Sequence, residues 1–388
     1  MSGSPASPRA APPGDAPTMG VEEEYFLVHP GTRAPQPAGS AVAAHAARSV
    51  GDLVTGEFTE YQVEVRTPPR ADAAALCAEL VRLRGAACAA ARTQGLRLCA
   101  SGTAVAPVGT QALGDHPRYR EGVAQYRAML DDFAICALHV HAHCPDREAA
   151  VLVSNHLRPW LPLLVAMAAN SPFHHGRETG YASWRAVIRS RFPCLGPPPY
   201  AESVEAYERM AEAMERSEAM LDARTPFWDI RPNSRFPTVE IRCMDVLPDI
   251  EDTVALAVLV RALVVAGLGR VRQGDPGPRP SAELLRAAYW RAARDGWTGS
   301  GVDPLDGRVA PFSVQAGWLV EEVRPVLEGN GDLALVRDFL RRLGTRGGGA
   351  ERQRAAESRH GGLNGVVDDL VRRTARAGRT ARTAPRPA

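Results

Sequence analysis

Between residues 20 and 30 the chain reads GVEEEYFLVHP, three consecutive glutamates inside a run whose other members, Val21, Tyr25, Phe26, Leu27 and Val28, belong in a buried strand. Side chains alternate across a strand, so Glu22 and Glu24 share one face while Glu23 leaves on the other with Tyr25. The pattern recurs. In EFTEYQVEVRTPP, Glu60, Gln62, Glu64 and Arg66 fall on one face and Tyr61, Val63 and Val65 on the other. LHVHAHC sets His139, His141 and His143 opposite Val140, and PTVEIRC sets Thr238, Glu240 and Arg242 opposite Val239 and Ile241. Each strand has one apolar face and one chemical face, so a shared sheet must be covered by helices on one side only.

The rest of the chain supplies those helices. Residues 71–94 carry Ala, Leu and Cys at helical spacing and stop at Gly95, LRLCASG reads as a strand, and a helix is expected near 119–132 before the strand AICALHVHAHC. The spacing predicts one long helix over 146–169 despite Pro159 and Pro162, a polar helix over 201–223, and a strand at FPTVEIRCMDV. From 251 onward helices dominate, at 251–269, 281–295, 313–327, 332–343 and 350–374. Between them, NSPFHHGRETGYASWR has the composition of an irregular functional loop, with His174 and His175 read as polar loop residues and not as ligands. Strands separated by helices, then a helical final third, define an α+β fold with a one-sided sheet. The Pro-, Ala- and Ser-rich residues 1–18 read as a disordered leader, 19–375 as a single domain and 376–388 as a disordered basic tail.

Composition removes several classes. All 46 basic residues are arginine, so a phosphate loop ending in Gly-Lys, a kinase-type strand lysine and a Schiff-base lysine are excluded. A formal net charge of +2 gives no case for nucleic acid as principal partner. The seven cysteines form no C-x-x-C pair, which speaks against a zinc ribbon or disulfide framework and for a reduced, cytoplasmic setting. The apolar run TVALAVLVRALVVAGLG is interrupted by Arg261 and short of the ~20 residues of a bilayer span, so a core helix is expected and no membrane contact.

If the four strands pair, Glu22, Glu24, Glu60, Glu64 and Glu240 converge, and withdrawing so many carboxylates from water costs several kcal/mol per ion unless cations compensate. Arg66 and Arg242 offset two of them. The excess calls for more than one divalent ion, and carboxylates with one or two imidazoles suit Mg²⁺ or Mn²⁺. Magnesium usually completes its shell with substrate phosphates, which makes ATP the expected co-substrate and an arginine such as Arg242 the group that stabilises the transferred phosphoryl.

The motifs GVEEE, VEVRTPP, HVHAHCPD, RPWLPLLVAMAANSPFHHGRETGYASWR, WDIRPNSRFPTVEIRCMDV and ERQR resemble, in order and spacing, the carboxylate–amine ligases of the glutamate–cysteine ligase type 2 family. The resemblance covers about residues 19–375. It implies a glutamine-synthetase-like fold, a curved, mainly antiparallel sheet holding two or three Mg²⁺ ions and ATP, and an activity that converts a carboxylate, typically the γ-carboxylate of glutamate, to an acyl phosphate for attack by an amine such as that of cysteine. It also implies Glu22 and Glu64 as ligands of one metal, with Glu57 or Glu60, and Glu24, His139 and Glu240 as ligands of a second. His141 and Arg66 are expected at the nucleotide, Arg242 as the catalytic arginine, and Asn170, Ser171, Arg177, Tyr181, Arg185 and Arg231 at the substrates. A homodimer is consistent with the family. The family pattern His-Val-His-Val-Gly is replaced by HVHAHC, and a Gly-Thr-His-Pro segment by GTAVAP (102–107), so an expected histidine is missing. That leaves open a non-catalytic nucleotide-binding regulatory protein of the same fold, and a phosphotransferase acting on a guanidino or amino group.

Overall fold

The structure, a computed structural model, describes residues 17–110 and 112–380. The leader lies almost wholly outside the described residues, as does the tail beyond 380.

The strands are β1 (Met19–Val28), β2 (Val54–Gly56), β3 (Gln62–Arg66), β4 (Arg97–Cys99), β5 (Ala137–His143), β6 (Phe173–His174), β7 (Arg177–Glu178), β8 (Ile230–Pro232), β9 (Thr238–Asp245), β10 (Ser300–Val302) and β11 (Val309–Pro311). The helices are α1 (Gly39–Val50), α2 (Ala73–Thr93), α3 (Pro117–Tyr126), α4 (Arg147–Leu157), α5 (Leu161–Ala168), α6 (Trp184–Arg189) and α7 (Val204–Arg216). Beyond them come α8 (Ile250–Arg272), α9 (Ala282–Asp295), α10 (Phe312–Gly329), α11 (Leu333–Arg346), α12 (Gly349–His360) and α13 (Leu363–Thr380). One antiparallel sheet runs in the order β2-β3-β1-β5-β9-β8, with β4 joined to the far end of β1. Two small hairpins, β6–β7 and β10–β11, stand apart from it.

The apolar faces meet the helices as the alternation requires. Val21, Val140, Val239 and Ile241 pack with α4, α5 and α8 in one core cluster, while Tyr25, Val63 and Val65 pack with α1, α2 and α13 in another. Helix α8 is long and apolar enough to cross a membrane by composition, yet from Ile250 to Val264 nearly every residue is buried against the sheet and its neighbouring helices. The middle glutamate of the opening triplet belongs to this side. Glu23 is fully buried and pairs with the equally buried Arg84 of α2, whose Nε donates to Oε2 at 2.8 Å, and it accepts from Thr253 Oγ1 of α8 at 2.8 Å. A buried ion pair so fully hydrogen-bonded ties β1, α2 and α8 together, and losing one partner would strand the other charge.

Several expected boundaries move for local reasons. The helix expected over 146–169 is two helices, α4 and α5, separated by a tight turn at Arg158–Trp160, because Pro159 has no N–H to continue the ladder. The helix expected over 350–374 breaks at Gly361 and Gly362, both at positive φ, and α13 then runs to Thr380, into the stretch expected as tail. Strand β3 starts only at Gln62, which leaves Glu60 in the preceding turn.

Candidate active site

The register places the chemical residues in one band across the sheet. Glu22 stands opposite Arg66 of β3 and His139 of β5, Glu24 opposite Glu64, His141 opposite Glu240, and Glu240 opposite Arg231 of β8. His139 and His141, two apart on β5, share its chemical face by alternation, and the β5–β9 pairing shifts register between Leu138 and Val140.

Two trios of donors result, in each of which one ligand atom per residue lies within 4.8 Å of the others: Glu22, His139 and Glu240, and beside it Glu24, Glu57 and Glu64. His139 Nδ1 is 3.1 Å from Glu22 Oε2 and 4.0 Å from Glu240 Oε1, while its Nε2 is 4.0 Å from Glu24 Oε1 and joins the two groups. His141 Nε2 lies 3.2 Å from Glu22 Oε1. Arg231 Nε donates to Glu240 Oε2 at 2.9 Å, and Arg242 pairs with Glu240 and approaches His139 Nδ1 at 3.5 Å.

The trios differ in charge balance. Burial would raise the Glu240 carboxyl, but Arg231 and Arg242 hold it well below the usual range; Glu22, likewise opposed by burial, is lowered by hydrogen bonds from His139 and His141. Burial and the Arg242 charge push His139 down to about 3, leaving a neutral imidazole able to act as a ligand. The second trio lacks such relief. Burial and the neighbouring Glu24 raise Glu57 to about 8, and burial with the charges of Glu22, Glu57 and Glu24 raises Glu64 far above an ordinary carboxyl. Three carboxylates that cannot all ionise together are what a divalent cation with oxygen preference resolves, so the donor set fits Mg²⁺ or Mn²⁺.

The grouping exchanges the two β1 glutamates relative to the expectation. Glu22 faces His139 across β5 and so joins His139 and Glu240, whereas Glu24 faces Glu64 across β3 and joins Glu64 and Glu57. Glu60 is in neither trio: its carboxylate accepts from Ser40 N at 2.9 Å and from the Ser40 hydroxyl at the start of α1. Glu57 takes the place because the chain from β2 doubles back before β3, a turn that a period-two count cannot anticipate. Arg66 sits at the rim, its Nε 3.4 Å from Glu64 and an Nη on the Asp52 carbonyl at 2.7 Å.

A pocket opens beside the trios, lined by Glu24, Glu57, His139 and Arg242, by Arg118, Arg185 and Arg189, and by an aromatic wall including Phe58, Phe133 and Phe192. Arg185 is buried, donating to the carbonyls of Cys243 at 3.2 Å and Arg242 at 3.0 Å, which fixes it at the pocket's edge. Arg118 and Arg189 went unnoticed in the sequence, where an arginine among 46 carries no distinguishing mark. Asn170 and Ser171 do not face this pocket. Both are fully buried around the carboxylate of Asp245, to which Asn170 N donates at 2.9 Å, Ser171 Oγ at 2.7 Å and Ser183 Oγ at 2.9 Å, so their polar atoms are spent on tying the loop to β9. Arg177 is exposed on the β6–β7 hairpin, its guanidinium 6.0 Å from the Trp184 ring, and the Tyr181 hydroxyl accepts from Trp290 Nε1 at 3.1 Å; neither lines the pocket.

An acid-lined antiparallel sheet with arginines at its edge and helices behind it is a glutamine-synthetase-like fold. Among solved structures with this fold, the glutamate–cysteine ligase of Francisella tularensis in complex with AMP matches at TM-score 0.66 and 14% identity over 96% of this chain and 90% of its own. A bifunctional glutathione synthetase from Pasteurella multocida matches at TM-score 0.66 and 15% identity over 93% of this chain and 52% of its own. The sequence profile of glutamate–cysteine ligase family 2 matches residues 18–372, and a protein of Mycolicibacterium vanbaalenii provisionally named glutamate–cysteine ligase 2-2 is 43% identical over 94% of this chain and 98% of its own. The chain belongs to glutamate–cysteine ligase family 2. It is thereby an enzyme of the carboxylate–amine ligase class, which forms carbon–nitrogen bonds.

Proposed function

We propose that this chain is an ATP- and Mg²⁺-dependent ligase that activates a carboxylate, the γ-carboxylate of glutamate being the leading substrate, and joins it to an amine such as that of cysteine. The observation that carries this reading is the adjacency of two metal-type trios to an arginine-lined pocket that Arg242 lines, with Arg231, outside that lining, holding Glu240 from β8. The AMP bound to the Francisella tularensis ligase, a neighbour in fold, supports a nucleotide co-substrate.

Glu24, Glu57 and Glu64 would hold one ion and Glu22, His139 and Glu240 another. When bound, such ions neutralise phosphate charge and polarise the transferred phosphoryl group. The protein's own part is positioning. Glu240, clamped by Arg231, fixes the guanidinium of Arg242 where negative charge develops during transfer. His141 and Arg66 flank the band on the side proposed for the phosphates. Arg118 and Arg185, each with a guanidinium nitrogen left without a partner among the described residues, offer donors to a substrate carboxylate beside Arg189, which Asp229 holds in place, and the wall of Phe58, Phe133 and Phe192 keeps water from the activated acyl group. The substrate carboxylate oxygen forms a bond to the γ-phosphorus as ADP leaves; the amine nitrogen then bonds to the acyl carbon, phosphate leaves with its oxygen, and the nitrogen gives up a proton to solvent.

Incubating the purified protein with MgATP and amino-acid pairs tests this. The expected result is ADP release that requires both partners and a product lighter than their sum by one water. A stable product heavier by a phosphoryl group would make it a phosphotransferase, and nucleotide binding without ADP release would make it a regulatory protein.

A further inference from the structure

Away from the acidic band, Asp132, His174 and His175 bring one donor atom each to within 4.8 Å of one another. Their meeting depends on an unusual backbone. His174 ends β6 and His175 follows it in the hairpin turn, and in a continuing strand their rings would point to opposite sides. His175 instead has φ +49°, in the left-handed region that few non-glycine residues enter, and the two rings face each other with centroids 4.1 Å apart. The turn is held from both sides: His175 N donates to the Ala104 carbonyl at 3.0 Å, Gly176 N to that of Val105 at 2.8 Å, and Thr103 Oγ1 to that of Phe173 at 2.8 Å. Thr103 also bridges Ile135, which draws in the loop carrying Asp132.

His174 is 4% exposed and its Nδ1 is buried without a hydrogen-bond partner among the described residues, an unmade bond that costs stability. His175 and Asp132 are half-exposed, which gives an ion a route in. Among the described residues Asp132 pairs with Arg191, Nη1 to Oδ2 at 3.4 Å, in a solvated pair of little strength that an ion would replace.

We propose that Asp132, His174 and His175 form a binding site for a divalent transition ion of the zinc class, with a fourth position left to water. Two imidazoles and one carboxylate are a nitrogen-rich set suited to zinc and poorly suited to magnesium. Bonds of about 2.0–2.2 Å place tetrahedral ligand atoms roughly 3.4 Å apart, so side-chain rotation closes the set. The bound ion clamps the β6–β7 hairpin to the 131–136 loop, whose Phe133 and Ile135 line the pocket, and frees Arg191, next in sequence to Phe192, whose ring packs edge-on against Phe133 in the same wall at 5.1 Å. The site is thus a clasp on the pocket's outer side and stands whether or not the ligase reading does.

Isothermal titration with Zn²⁺ in a large excess of Mg²⁺, on the full chain, tests it. One magnesium-resistant zinc equivalent is expected in the wild type and in His139→Gln, with affinity lower by at least tenfold in His175→Gln and Asp132→Asn, since even outer-shell partners cost 10–100-fold. Circular dichroism confirms that the half-exposed variants remain folded, and X-ray absorption of zinc-loaded wild type should show imidazole and oxygen ligands. Absence of a magnesium-resistant equivalent, its survival in both variants, its loss in His139→Gln, or sulfur in the zinc shell would each overturn the proposal.

Discussion

Two glutamates three residues apart divide capping from metal chemistry. Glu57 lies in an overcrowded carboxylate trio, while Glu60 caps the start of α1 through Ser40. The Glu57 carboxyl, raised to about 8, must take up a proton to be buried at pH 7; Gln has no such cost, so in its place the metal-free protein should gain at least on the order of 1 kcal/mol and melt higher in EDTA. The same change should raise the Mg²⁺ concentration needed for activity by tenfold or more. Glu60→Gln should do neither, costing about 1 kcal/mol or less. Melting curves with and without Mg²⁺, alongside a Mg²⁺ titration of turnover, decide it; equal loss of stability by both variants in EDTA would sink the distinction. Arg242→Lys keeps the charge but loses the fork that Glu240 orients, and should lower kcat about a hundredfold with little change in KM. At this scale the sequence disclosed Glu22, Glu24, Glu64, His139, Glu240 and Arg242, because alternation within a strand is local. Alternation did not reach Glu57, which depends on a turn and which the family resemblance offered only as an alternative to Glu60, and it hid the two pocket arginines, which depend on which loops meet.

Among the elements, α8 rests on a charge cluster at its beginning. Asp249 precedes the helix and, instead of capping it with its side chain, accepts from Arg352 Nη1 of α12 at 2.8 Å and from Arg373 of α13 at 2.5 Å. Asp252, one turn in, accepts from Arg342 of α11 at 2.7 Å and Arg352 at 3.0 Å. Burial would raise the Asp249 carboxyl, yet the Arg373 hydrogen bond and charge, with Arg352, hold it below its ordinary value. A carboxyl whose pKa is lower folded than unfolded adds stability above the unfolded value, near pH 4, and that stability is lost as pH falls through the folded value. Asp249→Asn should therefore cost about 1.5–3 kcal/mol at pH 7, the worth of hydrogen bonds to a charged group, with the gap to wild type closing below pH 4. Urea denaturation across pH 2.5–7 measures the gap, and a constant difference would remove the carboxylate as its source. The extents of α2, α8 and α9 were legible from periodicity and stop residues alone. The break between α12 and α13 was not, since paired glycines in a helical pattern can be tolerated or can turn the chain, and only packing against α2 and β4 selects the turn.

For the molecule as a whole, the final helix is far in sequence from every site residue and yet closes one of the two main cores. Val366, Val367 and Leu370 of α13 are buried with Tyr25, Phe26, Val63 and Val65 of the central strands. Thr374 Oγ1 accepts from Ala100 N at 3.1 Å beyond the end of β4, and Arg33, in the turn after β1, reaches Asp368 at 3.0 Å. Burying one such aliphatic side chain is worth ~1.5–3 kcal/mol, so the three together supply roughly 4.5–9 kcal/mol. That is comparable to the entire stability of about 5–15 kcal/mol expected of a domain. A chain ending at Gly362 should therefore fail to fold cooperatively and lose nucleotide-dependent activity, although no residue of the acidic band has been removed. A chain ending at Thr380 keeps every one of these contacts and should melt within a degree or two of the full-length protein. Differential scanning calorimetry of the two truncations separates the cases: a sharp, near-native transition for the shorter chain would mean that the sheet and its first core stand alone, and that α13 is an appendage to the fold and not its closing piece.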